Sequence, residues 1–133
     1  MAKHSRLVLK EVDISPLDNG KCQINVQLSV NNMLFTSEVA DFDTEDGQLH
    51  GVAQATLNAI AKKLGDRLPL KLLYTKQIFL KEISKVVFLV IVQYGKVDEE
   101  QFLSGVCLFT QHKPEIAAKA VLNALNRTLS KYD

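Results

Sequence analysis

The sequence predicts an α+β domain made of two βββα repeats related by a pseudo-twofold axis, an antiparallel sheet layer packed on two helices. Three observations predict it. Ala120, Leu122, Asn123 and Ala124 repeat Ala55, Leu57, Asn58 and Ala59, sixty-five positions earlier. Upstream, Leu80-Lys81-Glu82 repeats Leu9-Lys10-Glu11 at an offset of seventy-one. Three strand-like stretches joined by short turns precede each helical stretch, which is the pattern of an α+β layer domain. Internal repetition of this kind sets the fold before any single element is read. The fall in offset is attributed to a longer first hairpin loop, SPLDNGK.

Taken in order, Arg6 to Ile14 carries Leu7, Leu9, Val12 and Ile14 in a near-alternating strand pattern. Ser15 to Gly20 is a turn cluster, since Pro presets φ and Asn-Gly tolerates positive φ. Cys22 to Val30 alternates strictly, with Cys22, Ile24, Val26, Leu28 and Val30 on one face and Gln23, Asn25, Gln27 and Ser29 on the other. That is a strand with one wet face. Asn31-Asn32 is a turn, and Met33 to Ala40 is a third strand of weaker pattern. Connections this short make the strands an antiparallel meander.

An acidic connector, Asp41 to Gly47, leads into a helix whose apolar stripe runs Leu49, Val52, Ala53, Thr56, Leu57, Ile60, Ala61 and Leu64. The spacing is that of one helical face. Acidic residues before the start, and Lys62 and Lys63 in the last turn, complement the helix dipole. Gly65 is suited to end the helix.

The second repeat has strands at Leu72 to Ile83, Lys85 to Tyr94 and Gln101 to Phe109, and a helix at Glu115 to Leu129. The run Val86 to Val92 is apolar without interruption, which predicts burial on both faces, within the sheet or at a partner. Pro114 stands at a helix start, where its missing N–H costs nothing. The reading is one domain over residues 1–133, with repeats at 6–65 and 72–131 and both helices laid on one sheet. A single repeat has a marginal core, so the two are expected to complete each other.

The 133 residues, 47% apolar and 23% charged, belong to an ordinary globular domain. A net charge of +1 and no Lys/Arg stripe argue against nucleic acid. No apolar run approaches the ~18–20 residues of a membrane span. MAKHSRLVLK lacks the apolar core of a signal peptide, so a cytoplasmic location is expected. Cys22 and Cys107 are then expected to be reduced and core-facing. No cofactor is implied.

The final helix carries a family resemblance. KAVLNALNR, Lys119 to Arg127, resembles the end of the C-terminal regulatory domain of α-isopropylmalate synthase and of citramalate synthase, which typically reads A-x-A-Y-L-N-A-L-N-R. Val121 stands at the tyrosine position. Gly51, Ala55, Ala59 and Ile60 fit that domain's first-helix pattern, G-x-x-x-A-x-x-x-A-I. The resemblance implies a pair of βββα units, a homodimer, and a feedback amino acid, leucine or isoleucine, held at the dimer interface near the loops from third strand to helix. It implies a role in the regulation of leucine biosynthesis and a stand-alone regulatory domain. A chain of this length cannot hold the (β/α)₈ barrel of about 250 residues that does the condensation chemistry, so no enzymatic activity is expected. The loops depart from the family. Leu108-Phe109-Thr110-Gln111-His112 replaces G-x-S-T-D, and Gln54 stands where the first loop has Asp.

Helix N-termini offer free N–H groups and a positive dipole end, which suit a carboxylate. The candidate ligand residues are therefore His50, Gly51, Val52 and Ala55 in the first repeat and Thr110, His112, Ile116 and Ala120 in the second. The ligand would be a branched-chain amino acid or a related 2-oxo or 2-hydroxy acid, and a partner enzyme would receive the signal. The alternative is a dimeric interaction or scaffold protein without ligand. No metal is expected: His50, His112 and Cys107 lack ligand spacing. Asp41, Asp43, Glu45 and Asp46 do not fit a calcium loop, which needs Gly at position six and Glu at twelve where this chain has Asp46 and Val52. Asn58 and Asn123 are read as polar-face residues retained from duplication, with a bond to the neighbouring unit as the alternative.

Overall fold

The computed structural model describes residues 7–65, 69–95, 101–109 and 114–129. The elements are β1 (Val8–Pro16), β2 (Lys21–Val30), β3 (Met33–Phe42), α1 (Glu45–Leu64), β4 (Leu70–Leu80), β5 (Lys85–Tyr94), β6 (Gln101–Leu108) and α2 (Glu115–Leu129). The order is βββα twice, an α+β fold, as the repeats predict.

Turn chemistry sets the first two hairpins. Asn19 and Gly20 have φ of 67° and 71°, and Asn31 and Asn32 have φ of 51° and 66°. Both pairs supply the two positive-φ residues of a hairpin turn whose twist matches the strands. The first strand runs two residues past Ile14, because Pro16 pairs with Cys22. It tolerates Pro16 because β1 is an edge strand. The fourth strand stops at Leu80, short of the expected Ile83. Lys81–Ile83 form a 3₁₀ turn closed by Ser84, whose left-handed φ of 51° reverses the chain. Helix α1 begins four residues before its apolar stripe because Thr44 caps it. The Thr44 hydroxyl accepts from the Gly47 N–H at 3.0 Å. At the other end, Gly65, with φ of 63°, returns its N–H to the Ala61 carbonyl.

The strands form two sheets of three, β1-β2-β3 and β4-β5-β6, each antiparallel. This refines the expectation of one sheet carrying both helices. Each helix packs on the last two strands of its own unit, touches the first strand of the other, and meets its fellow helix. Both helices therefore lie between the sheets. Buried positions in α1 accordingly surround most of its circumference, from Gly51, Val52 and Ala53 to Ala55, Thr56 and Leu57. Alanine is frequent in both helices because a helix covered from two sides must approach each sheet closely.

Duplication shows in burial as well as sequence. From Gly51 to Ile60 the buried positions of α1 recur in α2, sixty-five residues on. Both first strands carry an irregularity against the middle strand, between Leu9 and Glu11 in β1 and between Leu72 and Tyr74 in β4. These places are equivalent, which corrects the echo at offset seventy-one. Leu9-Lys10-Glu11 spans a bulge in mid-strand, whereas Leu80-Lys81-Glu82 enters the 3₁₀ turn. That likeness is local and marks no equivalent position.

Asn126 ties the two units together. Its Oδ1 accepts from the Leu7 N–H at 3.1 Å and its Nδ2 donates to the Leu7 carbonyl at 3.4 Å. Both backbone groups of a buried residue at the start of the first sheet are thus satisfied by the last helix. Asn58, by contrast, accepts from Gln54 within its own helix at 2.9 Å, and Asn123 is exposed. The polar-face reading holds for that repeated pair. Asn126→Leu is expected to destabilise the chain by about 1–3 kcal/mol, because it strands two backbone groups away from water. Urea denaturation followed by circular dichroism measures the loss.

Candidate functional site

The first strand-to-helix junction is an ordered network built on its acidic residues. Asp41 ends the inner face of β3, opposite buried Cys22. Its Oδ1 accepts from the Phe42 N–H at 2.7 Å, and its Oδ2 lies 2.9 Å from Nδ1 of His50. With Nδ1 donating to Asp41, the ring presents Nε2 outward. Asp43 accepts from the Gln48 side chain at 2.8 Å. Gly47 is required here: a Cβ would stand 2.2 Å from the Phe42 carbonyl oxygen. Thr44 thus caps the helix start, and Asp41 and Asp43 brace it through His50 and Gln48.

Asp46 faces away from this network toward the other unit. Its Oδ1 accepts from Nε2 of Gln77, on β4, at 2.8 Å. Around that bond lies a half-open cleft of about 420 Å³, lined by Asp46 and His50 of α1, Thr75, Lys76 and Gln77 of β4, and Phe88 of β5. Thr75 and Gln77 pair with Val90 and Phe88, so they stand on the helix-facing side of the second sheet. Its volume is within the range of small-molecule sites. The inward wall holds a carboxylate, an imidazole, hydroxyl and amide groups, and a phenyl ring, while Lys76 borders it from the outward side of β4.

Of the candidate ligand residues, His50 lines this cleft. Gly51 is buried against Ile24, and Val52, Ala55, Ile116 and Ala120 are packed in the core. Thr110 and His112 lie outside the described residues. Of the residues that complete the cleft, Asp46 is weighed in sequence only as part of a calcium loop, and Thr75, Gln77 and Phe88 are not singled out. Their one signal is polar: Thr75 and Gln77 interrupt the apolar alternation expected of an inward-facing strand.

The N-terminus of α1 suits an ammonium better than a carboxylate. Asp43, Glu45 and Asp46 already offset the dipole's positive end, and Thr44 occupies the Gly47 N–H. The thiol of Cys22, close by, donates weakly to the Phe42 carbonyl at 3.6 Å. Burial raises its pKa, and the carboxylates of Asp43 and Asp41 add to the rise. Burial likewise raises that of Cys107, with Lys119 acting against it. Both thiols are therefore protonated at neutral pH and are poor nucleophiles.

Among the described residues no group of three or more His, Cys, Asp or Glu side chains is placed to hold a metal ion. None of the described helices is long and apolar enough to cross a membrane. No protein-family model matches the chain, and no curated protein sequence is similar to it.

Proposed function

We propose that the chain is a small-molecule-sensing module, similar in role to the regulatory domain of α-isopropylmalate synthase, whose ligand occupies the cleft between α1 and β4. The observation that carries this reading is that both units build the cleft and one hydrogen bond, Asp46 to Gln77, spans it. A ligand that replaces or reinforces that bond favours one placement of the units over another. Such differential binding is what regulation requires. Asp46 supplies an acceptor for an ammonium group, the Thr75 hydroxyl and Gln77 amide supply donors for a carboxylate, and Phe88 supplies an apolar surface. The set fits a zwitterionic amino acid with an apolar side chain. Branched-chain amino acids and their 2-oxo or 2-hydroxy acids are the first to be tried, with a partner enzyme as recipient of the signal.

Thermal denaturation with each compound tests the proposal. At 100 times its dissociation constant a ligand stabilises by about 2.7 kcal/mol, which shifts the midpoint by roughly 10 °C in a domain of this size. Asp46→Asn is expected to remove the shift. No shift with leucine, isoleucine, valine or their oxo acids would sink the reading. It would leave the second one, a dimeric interaction module without ligand, which the burial of Gly51, Val52, Ala55, Ile116 and Ala120 favours.

A further inference from the structure

The outer faces of the two sheets differ in charge as well as in apolarity. Alternate residues of a strand point to opposite faces. On β2, Ile24, Val26 and Leu28 are buried against the helices, and Gln23, Asn25 and Gln27 point away. The register sets Glu11 and Asp13 of β1, and Glu38 of β3, beside Gln27 and Asn25, so the centre of this outer face is polar and acidic. On β5, Phe88, Val90 and Val92 point to the helices, while Val87, Leu89 and Ile91 point away and are partly exposed. Val106 and Leu108 of β6 stand beside Leu89 and Val87 and widen this apolar strip, which Ser104, opposite Ile91, interrupts. On the other side of the strip Lys76 of β4 is exposed opposite Leu89. Lys71 and Lys85 share the face at its two ends, opposite Gln93 and Leu80. The three strands contain no Asp or Glu. The first sheet is an internal control: its central strand is polar outside, so the fold does not require an apolar strip flanked by lysines. Such a strip marks an interaction surface.

We infer that the outer face of β4-β5-β6 docks an acidic amphipathic helix of a partner protein. The strip along β5, from Lys85 to Gln93, is about 27 Å long at the rise of a strand, which an α-helix of about 18 residues matches. The outer strands lie about 10 Å apart across the sheet, the width of one helix. The opposite side of this sheet already carries a helix, α2 on β5 and β6, so the partner repeats a packing that the sheet performs. The sign of the partner's charge follows from the lysines. A helix seated along β5 sets its apolar stripe on Leu89 and one flank over Lys76, where acidic side chains are paired and basic ones repelled. A second copy of the chain offers no match. Its own β4-β5-β6 face brings lysine to lysine, and its first sheet has no apolar strip along the central strand. The strip lies flush in the sheet, with Leu89 and Ile91 only partly exposed, which suits packed side chains more than insertion into a bilayer. This inference rests on the fold and not on what the cleft binds.

Selection from a displayed library of randomised helical peptides, about 18 residues long, with the full chain as bait, decides the matter. The expected result is enrichment of sequences with apolar residues at i, i+3, i+4 and i+7 and with Asp or Glu beside that stripe. Fluorescence anisotropy of an enriched peptide is expected to give a dissociation constant in the micromolar range. Leu89→Asp is expected to weaken it at least about 30-fold, since the apolar anchor at the centre is lost. Val106→Asp, on an edge strand and half-exposed, gives the same test should Leu89→Asp fail to fold. Lys76→Glu is expected to weaken the peptide about tenfold and, used as bait, to shift the enriched flank from acidic to basic residues. Asn25→Asp, on the outer face of the first sheet, is expected to leave the affinity unchanged. No enrichment, enrichment without acidic bias, or an affinity that the face variants do not touch overturns the proposal. So does binding of the chain to phosphatidylcholine–phosphatidylglycerol vesicles that is lost with Leu89→Asp, because the face would then be a lipid surface.

Discussion

Replacing Gly105 with alanine is expected to lower the stability of the chain by about 3 kcal/mol. Gly105 lies on the helix-facing side of β6, paired with Val90. A Cβ there would stand 2.1 Å from the Ala120 carbonyl oxygen and 2.7 Å from the Ala124 backbone nitrogen. Both obstacles are main chain, so no side-chain rotation relieves them, and α2 must lift from the sheet. The lift loosens the contacts of Ala117, Ala120 and Val121, all fully buried. Gly51→Ala is the informative contrast. Its new Cβ would stand 2.2 Å from Cδ1 of Ile24, the end of a flexible side chain. Ile24→Val removes that atom and is expected to recover part of the loss, whereas no single neighbour can rescue Gly105→Ala. Urea unfolding followed by circular dichroism separates the two cases. A loss under 1 kcal/mol for Gly105→Ala would show that the helix and sheet are not in such close contact.

Much of the fold is legible in the sequence where one period dominates. Cys22 to Val30 alternates without a fault, and its even-numbered residues are the buried ones. The last helix has the expected bounds, Glu115–Leu129, because Pro114 and a long apolar stripe leave little choice. The Asn-Gly and Asn-Asn turns are legible because so few residues accept positive φ. Partner choice is less legible. Alternation says which side of a strand is covered but not by which element, so two sheets enclosing both helices could not be told from one sheet beneath them. The uninterrupted run Val86 to Val92 predicts burial on two faces, whereas the fold buries Phe88, Val90 and Val92 and leaves Val87, Leu89 and Ile91 partly exposed on the other face. The cleft is the least legible part. Asp46 and Gln77 are thirty-one positions apart and meet only through packing of the two units. Asn126 went unread because nothing local distinguishes it from Asn123, one turn earlier.

Truncating the matched core residues Ile60 and Leu125 is expected to show that neither unit stands alone. They occupy equivalent helix positions, and neither is exposed to solvent. Either change to alanine leaves a cavity in a layer enclosed by two sheets, at a cost of about 2–5 kcal/mol. A unit of some sixty residues buries too little surface to be more than marginally stable. Each helix is also roofed by the first strand of the other unit, and Asn126 closes the backbone of Leu7 across the junction. Damage to one unit therefore removes cover from the other. Ile60→Ala and Leu125→Ala are each expected to lower a single cooperative transition by roughly 10 °C, with fluorescence and circular dichroism midpoints still coincident. If the units were independent, Ile60→Ala would split the curve, with one phase at the wild-type temperature. That result would also remove the basis for a cleft that senses the placement of one unit against the other.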